Sequence, residues 1–336
     1  MKPLLTLLAL DAGATSTRAV VLDISGRAYG YGRAGGGNPT AAGIDRAVDA
    51  IGSAAEQALA DLTGSRRPAL GLIAMAGEKT PAFKQQVAGR LAGLGLDHVV
   101  LEHDLLGIFH SGTHALDGYA LIAGTGTVAA RIRGGHLERV VGGKGWLLGD
   151  AGGGFWIGHA VARAVVASLD GQAPDTSLTR LVLEAMAIEA DPATVAGRAE
   201  ALRQLVSALY ARPPIALAKF APLAFAVHDD QIVRPILVGA SAALAELLSA
   251  VQTPDLGGPV VVGGSVIIRG MLSAPPSLRA ELVPLVGDPL IPVWDGLVGA
   301  AVLVLRYAGH EVHEALFLTI EDEVARLASD RKMHHD

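Results

Sequence analysis

Cysteine is absent from this chain of 336 residues. That absence excludes disulfides, thiolate metal sites, cysteine nucleophiles and iron–sulfur ligation, and it fits a cytoplasmic location, which we take as an expectation. Aromatic residues make up only 4% of the chain, whereas hydrophobic residues, many of them alanine, make up 51%. Small apolar residues in such number favour close packing of helices on sheets.

Long apolar runs and basic stretches are also absent. No segment approaches the roughly 20 consecutive apolar residues that a membrane helix needs, so no membrane association is expected. The apolar start, MKPLLTLLALDAG, runs directly into an acid, and we interpret it as a first strand, not a signal peptide. The net charge of −6 comes without a basic stripe, which argues against nucleic acid as a partner. No His/Asp/Glu cluster has the spacing of a metal site.

Two glycine-hinged loops are the most informative features that are present. They lie in LLALDAGATSTRAVVLD at 7–23 and in ALIAGTGTVAARI at 120–132. Each segment predicts a strand, a tight turn and a returning strand, so that each loop is the tip of a β-hairpin. Glycine permits the positive φ of such a tip, and successive backbone N–H groups there can bind an anion such as phosphate.

Asp11 comes just before the first turn and would repel a phosphate directly, so its expected role is to position Mg²⁺ through water. The hydroxyls of Thr15 and Thr17 follow, where they could contact a nucleotide or its metal. An ordinary tight hairpin is the alternative for either loop, but two loops of one style favour phosphate binding. Since GxxxxGK[ST] is absent and neither loop opens a helix, P-loop and dinucleotide-binding folds are excluded.

The order of elements predicts two domains of ordinary size. Residues 4–112 give the order β-β-β-α-β-α-β, with Asp104 at the carboxyl end of a strand, where open α/β sheets bind ligands. A second β-rich stretch begins at 119, and helices dominate 155–250. We therefore expect domains at 1–112 and 113–311, with an amphipathic helix at 312–329 that returns to the first domain.

With its motifs and elements in this order, the chain resembles the sugar kinase, Hsp70 and actin superfamily. Within that superfamily it resembles the BadF/BadG/BcrA/BcrD ATPase family, which contains N-acetylglucosamine kinase. The resemblance rests on six segments: LALDAGATSTRAVVLD, EHDLLGIF, LIAGTGTVAA, GWLLGDAGGGFWIG, VVVGGSV and DGLVGAAVL. It implies an α/β fold of two ribonuclease H-like (actin-like ATPase) domains with an interdomain cleft. It also implies ATP and Mg²⁺ as cofactors and, from the relatives alone, a homodimer.

The resemblance further implies roles for individual residues. Asp104 would be the general base and Asp11 would position the metal. Contacts to ATP would come from Gly13, Thr15, Thr17, Gly124, Thr125, Gly126, Thr127, Gly263, Gly264 and Ser265. Contacts to the sugar would come from Asn38, Asp150, Gly143 and Lys144. The alternatives are a solvated loop acid for Asp104, a loop residue before Pro39 for Asn38 and a turn-forming acid for Asp150, while Phe155 and Trp156 are expected in the core.

Two departures from the family pattern concern the sugar. GGKG at 142–145 places Lys144 where N-acetylglucosamine kinases have a tryptophan, and a lysine offers no aromatic face. The family often has GDEGS where this chain has GDAGG at 149–153. Ala151 and Gly153 therefore lack the carboxylate and the hydroxyl of that pattern. The leading hypothesis is an ATP-dependent kinase of N-acetylglucosamine or glucosamine. In a variant of this hypothesis, Lys144 favours an acidic sugar.

Two other function classes stay open: an ATPase that drives or regulates a partner protein, and a non-catalytic sugar or nucleotide sensor. The dehydratase and reductase activators of the first class hold an iron–sulfur cluster with cysteines, which this chain lacks. Loss of the base would indicate a sensor, and Asp104 is present.

Overall fold

Two five-stranded sheets organise the protein. The structure, a computed structural model, describes residues 5–62, 67–77, 79–191, 193–286 and 289–333. The strands, of which β9 and β10 form a separate ribbon, are β1 (Thr6–Ala12), β2 (Thr17–Asp23), β3 (Ala28–Ala34), β4 (Pro68–Met75), β5 (Val99–His103), β6 (Gly118–Ala123), β7 (Thr127–Arg133), β8 (His136–Gly142), β9 (Thr194–Val195), β10 (Arg198–Ala199), β11 (Val260–Gly263) and β12 (Leu290–Pro292).

Helices connect and cover the sheets. They are α1 (Pro39–Ala42), α2 (Ile44–Ala60), α3 (Pro81–Ala92), α4 (Asp104–Gly112), α5 (Gly154–Leu169), α6 (Leu178–Ala185), α7 (Glu200–Tyr210), α8 (Ala221–Ala226), α9 (Val233–Ser249), α10 (Pro276–Val286), α11 (Leu297–Tyr307) and α12 (Glu314–Met333). A 3₁₀ segment spans Pro214–Phe220 and a π-helical turn spans Val266–Met271. No helix in the described ranges is long and apolar enough to cross a membrane.

The two sheets have the same topology. The first has the order β3-β2-β1-β4-β5, in which β1, β4 and β5 are parallel and β2 is antiparallel to both of its neighbours. The second repeats this order as β8-β7-β6-β11-β12, with the same directions. Both glycine loops close the predicted hairpins, since Ala12 pairs with Thr17 and Ala123 with Thr127. This duplicated arrangement is the predicted one.

Strand alternation separates the cores. Leu7 and Ala9 of β1 belong to a core shared by the two sheets, whereas Leu8 and Leu10 face α2 and α3 on the outer side, because successive side chains of a strand point to opposite faces. The shared core contains α4, α11 and α12, and a third core joins the second sheet to α5–α10. Helix α12 packs on β3, and α11, although it follows the second sheet in sequence, packs on β1.

Ligand-binding positions lie at the carboxyl edges of the parallel strands. In the first sheet Ala12, Met75 and His103 end their strands in one register. The glycine loop after β1 and Asp104 after β5 therefore leave the same edge. The expected boundary at residue 112 falls at the end of α4, and the division into domains stays a prediction.

Candidate active site

The first glycine loop is fixed by its own backbone and by a neighbouring loop. The Gly13 N–H donates to the Ser16 carbonyl over 3.0 Å, and the Gly13 carbonyl accepts from Gly37 N at 3.0 Å and from Asn38 N at 3.2 Å. Thr15 is exposed at the tip. The loop therefore has a defined shape and an accessible surface for a ligand.

Thr17 has a different position from Thr15. Its side chain is fully buried, and its hydroxyl donates to the Gly35 carbonyl over 2.9 Å. The second loop repeats this contact: the buried Thr127 hydroxyl donates to the Ala151 carbonyl over 3.2 Å. Both threonines thus connect their hairpin to a following loop, so a role in binding ATP would be indirect.

The second glycine loop is closed by a hydrogen bond from Gly124 N to the Gly126 carbonyl over 3.0 Å. Its remaining carbonyls fix the start of α5, since Gly124 O accepts from Gly154 N at 2.7 Å and Thr125 O accepts from Phe155 N at 3.0 Å. The backbone carbonyls are occupied in this way, while Thr125 is exposed at the tip.

The turn after β11 packs against this second loop. Gly264 has φ +90°, and a Cβ built there would overlap the carbonyl of Ala123 and lie 2.8 Å from Gly124 N. Ser265 follows and is exposed at the beginning of the π-helical turn. The structure therefore brings Gly264 against the predicted phosphate loop, with Gly263 and Ser265 beside it in the chain.

Asp11 lies in an ion-pair network that the sequence did not predict. Arg18 of β2 lies between two carboxylates, with Nη1 3.6 Å from Asp11 Oδ2 and Nε 3.3 Å from Asp295 Oδ2. Burial raises the pKa of Asp11 to about 7, the charge of Asp295 raises it too, and Arg18 and the Gly296 backbone N–H oppose the shift. The sequence does carry one signal for a role of Asp295. Like Asp104, it lies between the end of a strand and the start of a helix.

This environment fits a divalent cation. Mg²⁺ usually binds through one or two carboxylates together with phosphates and water, and Asp11 with nearby Asp295 offers that donor set. Among the described residues no group of three or more metal-ligating side chains occurs. Asp11 would hold the ion, and the ion would neutralise charge on the phosphates.

Asp11→Asn should flatten the pH dependence of stability in the absence of nucleotide. Because the folded-state pKa of Asp11 is about 7 and its ordinary value is 3.8, its contribution to stability is complete below pH 3.8 and is lost as the pH rises through 7. The wild-type free energy of unfolding should therefore fall relative to the variant by roughly 2–4 kcal/mol between pH 4 and pH 8. Urea unfolding at several pH values measures this, with Asp97→Asn, an exposed site, as control. Parallel curves for wild type and Asp11→Asn would contradict it.

Asp104 begins α4 directly after β5. The Leu105 N–H donates to its Oδ1 over 3.0 Å, and its side chain is 21% exposed. The charge of Asp104 contributes to raising the pKa of Asp11, which places the predicted base beside the predicted metal ligand. A carboxylate so placed can accept a proton from a bound hydroxyl.

Asn38 lies between the first loop and the turn after β4. Its Oδ1 accepts from Thr40 N at 2.9 Å and caps α1, and a Cβ at Gly77 would overlap the same oxygen. Asn38 thus caps a helix, which goes beyond the loop residue before Pro39 that we considered as an alternative. Contact with a sugar would have to come from its side-chain amide nitrogen.

Asp150 has an unusual conformation. Its φ is +61°, and a Cβ at Gly126 would overlap its Oδ2. Its Oδ1 is buried, with no hydrogen-bond partner among the described residues. An unpaired buried carboxylate oxygen is costly, and a ligand hydroxyl would satisfy it.

The segment 142–153, which holds the two departures from the family pattern, lies beside the second phosphate loop. Gly143 N donates to the Thr127 carbonyl over 2.7 Å, whereas Lys144 is exposed. Trp146 packs on Phe155 with ring centroids 5.1 Å apart. The structure therefore places Gly143 near the site by a backbone contact, and no described contact joins Lys144 to Asp104.

Two amino sugar kinases are similar in sequence to this chain. An N-acetyl-D-glucosamine kinase of Dictyostelium discoideum is 27% identical over 257 residues, which are 71% of this chain and 77% of the relative. The glucosamine kinase GspK of Vibrio cholerae is 32% identical over 183 residues, which are 52% of this chain and 59% of the relative.

Solved structures confirm the predicted fold class. A Chromobacterium violaceum protein named as a candidate N-acetylglucosamine kinase superposes with a TM-score of 0.67 at 24% identity, covering 90% of this chain and 99% of its own. A ROK family glucokinase from Streptomyces griseus, solved with glucose and AMPPNP, superposes with a TM-score of 0.51 at 21% identity, with the same coverage. At these identities the likeness concerns the fold alone.

The family model for the BadF/BadG/BcrA/BcrD ATPase family matches residues 8–304, from the first phosphate strand into helix α11. That match includes both glycine loops, Asp104 and the turn after β11. The chain belongs to the BadF/BadG/BcrA/BcrD ATPase family.

Proposed function

We propose that this protein is an ATP-dependent kinase of an amino sugar, with N-acetylglucosamine or glucosamine as its substrate. The observation that supports this best is the position of Asp104, a partly exposed carboxylate at the same sheet edge as the first phosphate loop. The named activities of the Dictyostelium and Vibrio relatives support the same substrate class.

In this mechanism the protein positions two substrates and removes one proton. Backbone N–H groups at the tips with Thr15 and Thr125 bind the β- and γ-phosphates, and the turn at 263–265 contacts adenosine. Asp104 accepts the proton of a sugar hydroxyl, the hydroxyl oxygen bonds to the γ-phosphorus, and the bond to the β–γ bridging oxygen breaks. Positioning and charge neutralisation supply most of the catalysis in such reactions.

The sugar is proposed to bind between Asn38 and Asp150. The buried, unpaired Oδ1 of Asp150 would accept from a sugar hydroxyl, and the amide nitrogen of Asn38 would donate to a sugar oxygen. Such polar contacts select among substrates, because a substrate that lacks the matching hydroxyl leaves the buried group unpaired.

Lys144→Trp should shift the sugar preference. The substitution restores the aromatic residue that N-acetylglucosamine kinases have at this place, so kcat/KM should rise for N-acetylglucosamine relative to acidic sugars, by roughly tenfold if the ring contacts the sugar. Lys219→Trp, on the 3₁₀ segment, is a control for the same change elsewhere. Unchanged ratios of kcat/KM across the sugars would place Lys144 outside the site.

Release of ADP from ATP and Mg²⁺ tests the proposed function. The panel comprises N-acetylglucosamine, glucosamine, N-acetylmannosamine, muramic acid derivatives and glucose, with a control that lacks sugar. Strong stimulation by an amino sugar is expected. Hydrolysis that ignores sugar would instead indicate an ATPase coupled to a partner, and absence of turnover with every sugar would indicate a sensor.

A further inference from the structure

His103, the last residue of β5, contacts the predicted base directly. Its Nδ1 lies 2.7 Å from Asp104 Oδ1. A proton must lie between these atoms, because two facing lone pairs would repel at that distance. The His103 side chain is 39% exposed, so the imidazole also remains accessible to water.

All hydrogen bonds to the Asp104 carboxylate within the described ranges fall on one oxygen. Oδ1 accepts from Leu105 N at 3.0 Å and contacts His103. These contacts fix the rotation of the carboxylate, and Oδ2 is the oxygen that would receive a substrate hydroxyl.

His103 is itself held from two elements. Its backbone N–H donates to Glu102 Oε1 over 2.8 Å, and Glu102 Oε2 accepts from the Tyr307 hydroxyl of α11 over 2.7 Å. These contacts fix the backbone from which the imidazole reaches Asp104.

We propose that His103 is the positioning residue of Asp104, which it holds through Oδ1 so that Oδ2 faces the substrate hydroxyl. This inference rests on the proposed kinase function. In the reaction, Asp104 Oδ2 takes the hydroxyl proton, the oxygen–phosphorus bond forms and ADP leaves with the electron pair of the broken bond. His103 exchanges no proton in that step.

Other charged groups face the pair. Asp11 lies beside Asp104, and Glu102 lies beside His103 on its own strand. Lys79, after β4, interacts with Asp104 and Glu102; burial lowers the pKa of Lys79, and the two acids oppose that shift. Since all three groups remain when His103 is replaced, a change confined to the His103 variants reports on the imidazole.

The first test compares kcat and KM at pH 8 with saturating ATP, Mg²⁺ and the most stimulating sugar. His103→Leu removes the donor to Asp104 Oδ1, so at pH 8 its kcat should fall roughly tenfold below wild type, with KM changed little. His103→Asn keeps a donor near Asp104 and should recover most of that loss. His313→Leu is the matched control, because His313 lies just before α12, where its Nδ1 accepts from Leu316 N at 3.3 Å; it should keep the wild-type kcat.

A second readout does not need turnover. The imidazole ¹⁵N resonances of His103, assigned by their loss in His103→Asn, should differ between Asp104→Asn and wild type at pH 8, because in the variant the Nδ1–H lacks its charged acceptor. Unchanged resonances, or a wild-type kcat in His103→Leu, would overturn the inference. If no sugar stimulates ADP release, the proposed function fails by itself, and the resonances still decide whether the pair is coupled.

Discussion

Asp104→Asn should abolish sugar phosphorylation while it leaves ATP binding nearly unchanged. The carboxylate begins α4 at the edge of the first sheet, where it can take the hydroxyl proton, and an amide cannot take that role. General-base catalysis contributes about 10²- to 10⁴-fold, so kcat should fall by that factor. Initial rates of ADP release give kcat, and calorimetric titration with an ATP analogue gives the dissociation constant.

Asp97→Asn is the control for this variant. It makes the same chemical change at an exposed position just before β5, and it should keep wild-type turnover. Thermal melting of both variants checks that they fold. Near-normal turnover in Asp104→Asn would remove Asp104 from the role of base.

Gly264→Ala should weaken ATP binding and stability together. The added Cβ would meet the backbone of Ala123 and Gly124, not a flexible side chain, and φ is +90°. The second phosphate loop or the turn after β11 must move. We expect KM for ATP to rise roughly tenfold or more and the free energy of unfolding to fall by about 2–4 kcal/mol, from positive φ and overpacking together.

Gly309→Ala separates strain from collision. Gly309 has φ +82°, and a Cβ there would have nothing within 4 Å, so only the conformational cost of about 1 kcal/mol should remain. Steady-state kinetics and urea unfolding of both variants measure the effects. Equal losses in the two variants would show that the contact with the second loop is unimportant.

Local patterns were sufficient to predict the hairpins and the positions at strand ends. A short apolar run, a glycine turn and a β-branched return predict a hairpin from neighbouring residues alone, and both hairpins occur. The position of Asp104 followed in the same way from the end of one strand.

Contacts between distant segments were not predictable. Thr17 and Thr127 look like exposed turn residues in sequence, yet each hydroxyl donates to a carbonyl of a later loop. Arg18 and Asp295 meet only because the last part of the chain returns from the second sheet to the first. No local periodicity reports such a pairing, since it depends on how the two sheets are connected.

The destination of the γ-phosphate tests the central claim most directly. ³¹P NMR of the protein with ATP, Mg²⁺ and either N-acetylglucosamine or glucosamine should show a sugar phosphate monoester growing as the ATP γ-phosphate signal declines. Conversion of the γ-phosphate to inorganic phosphate alone, or persistence of ATP with both sugars, would contradict the assignment as an amino sugar kinase.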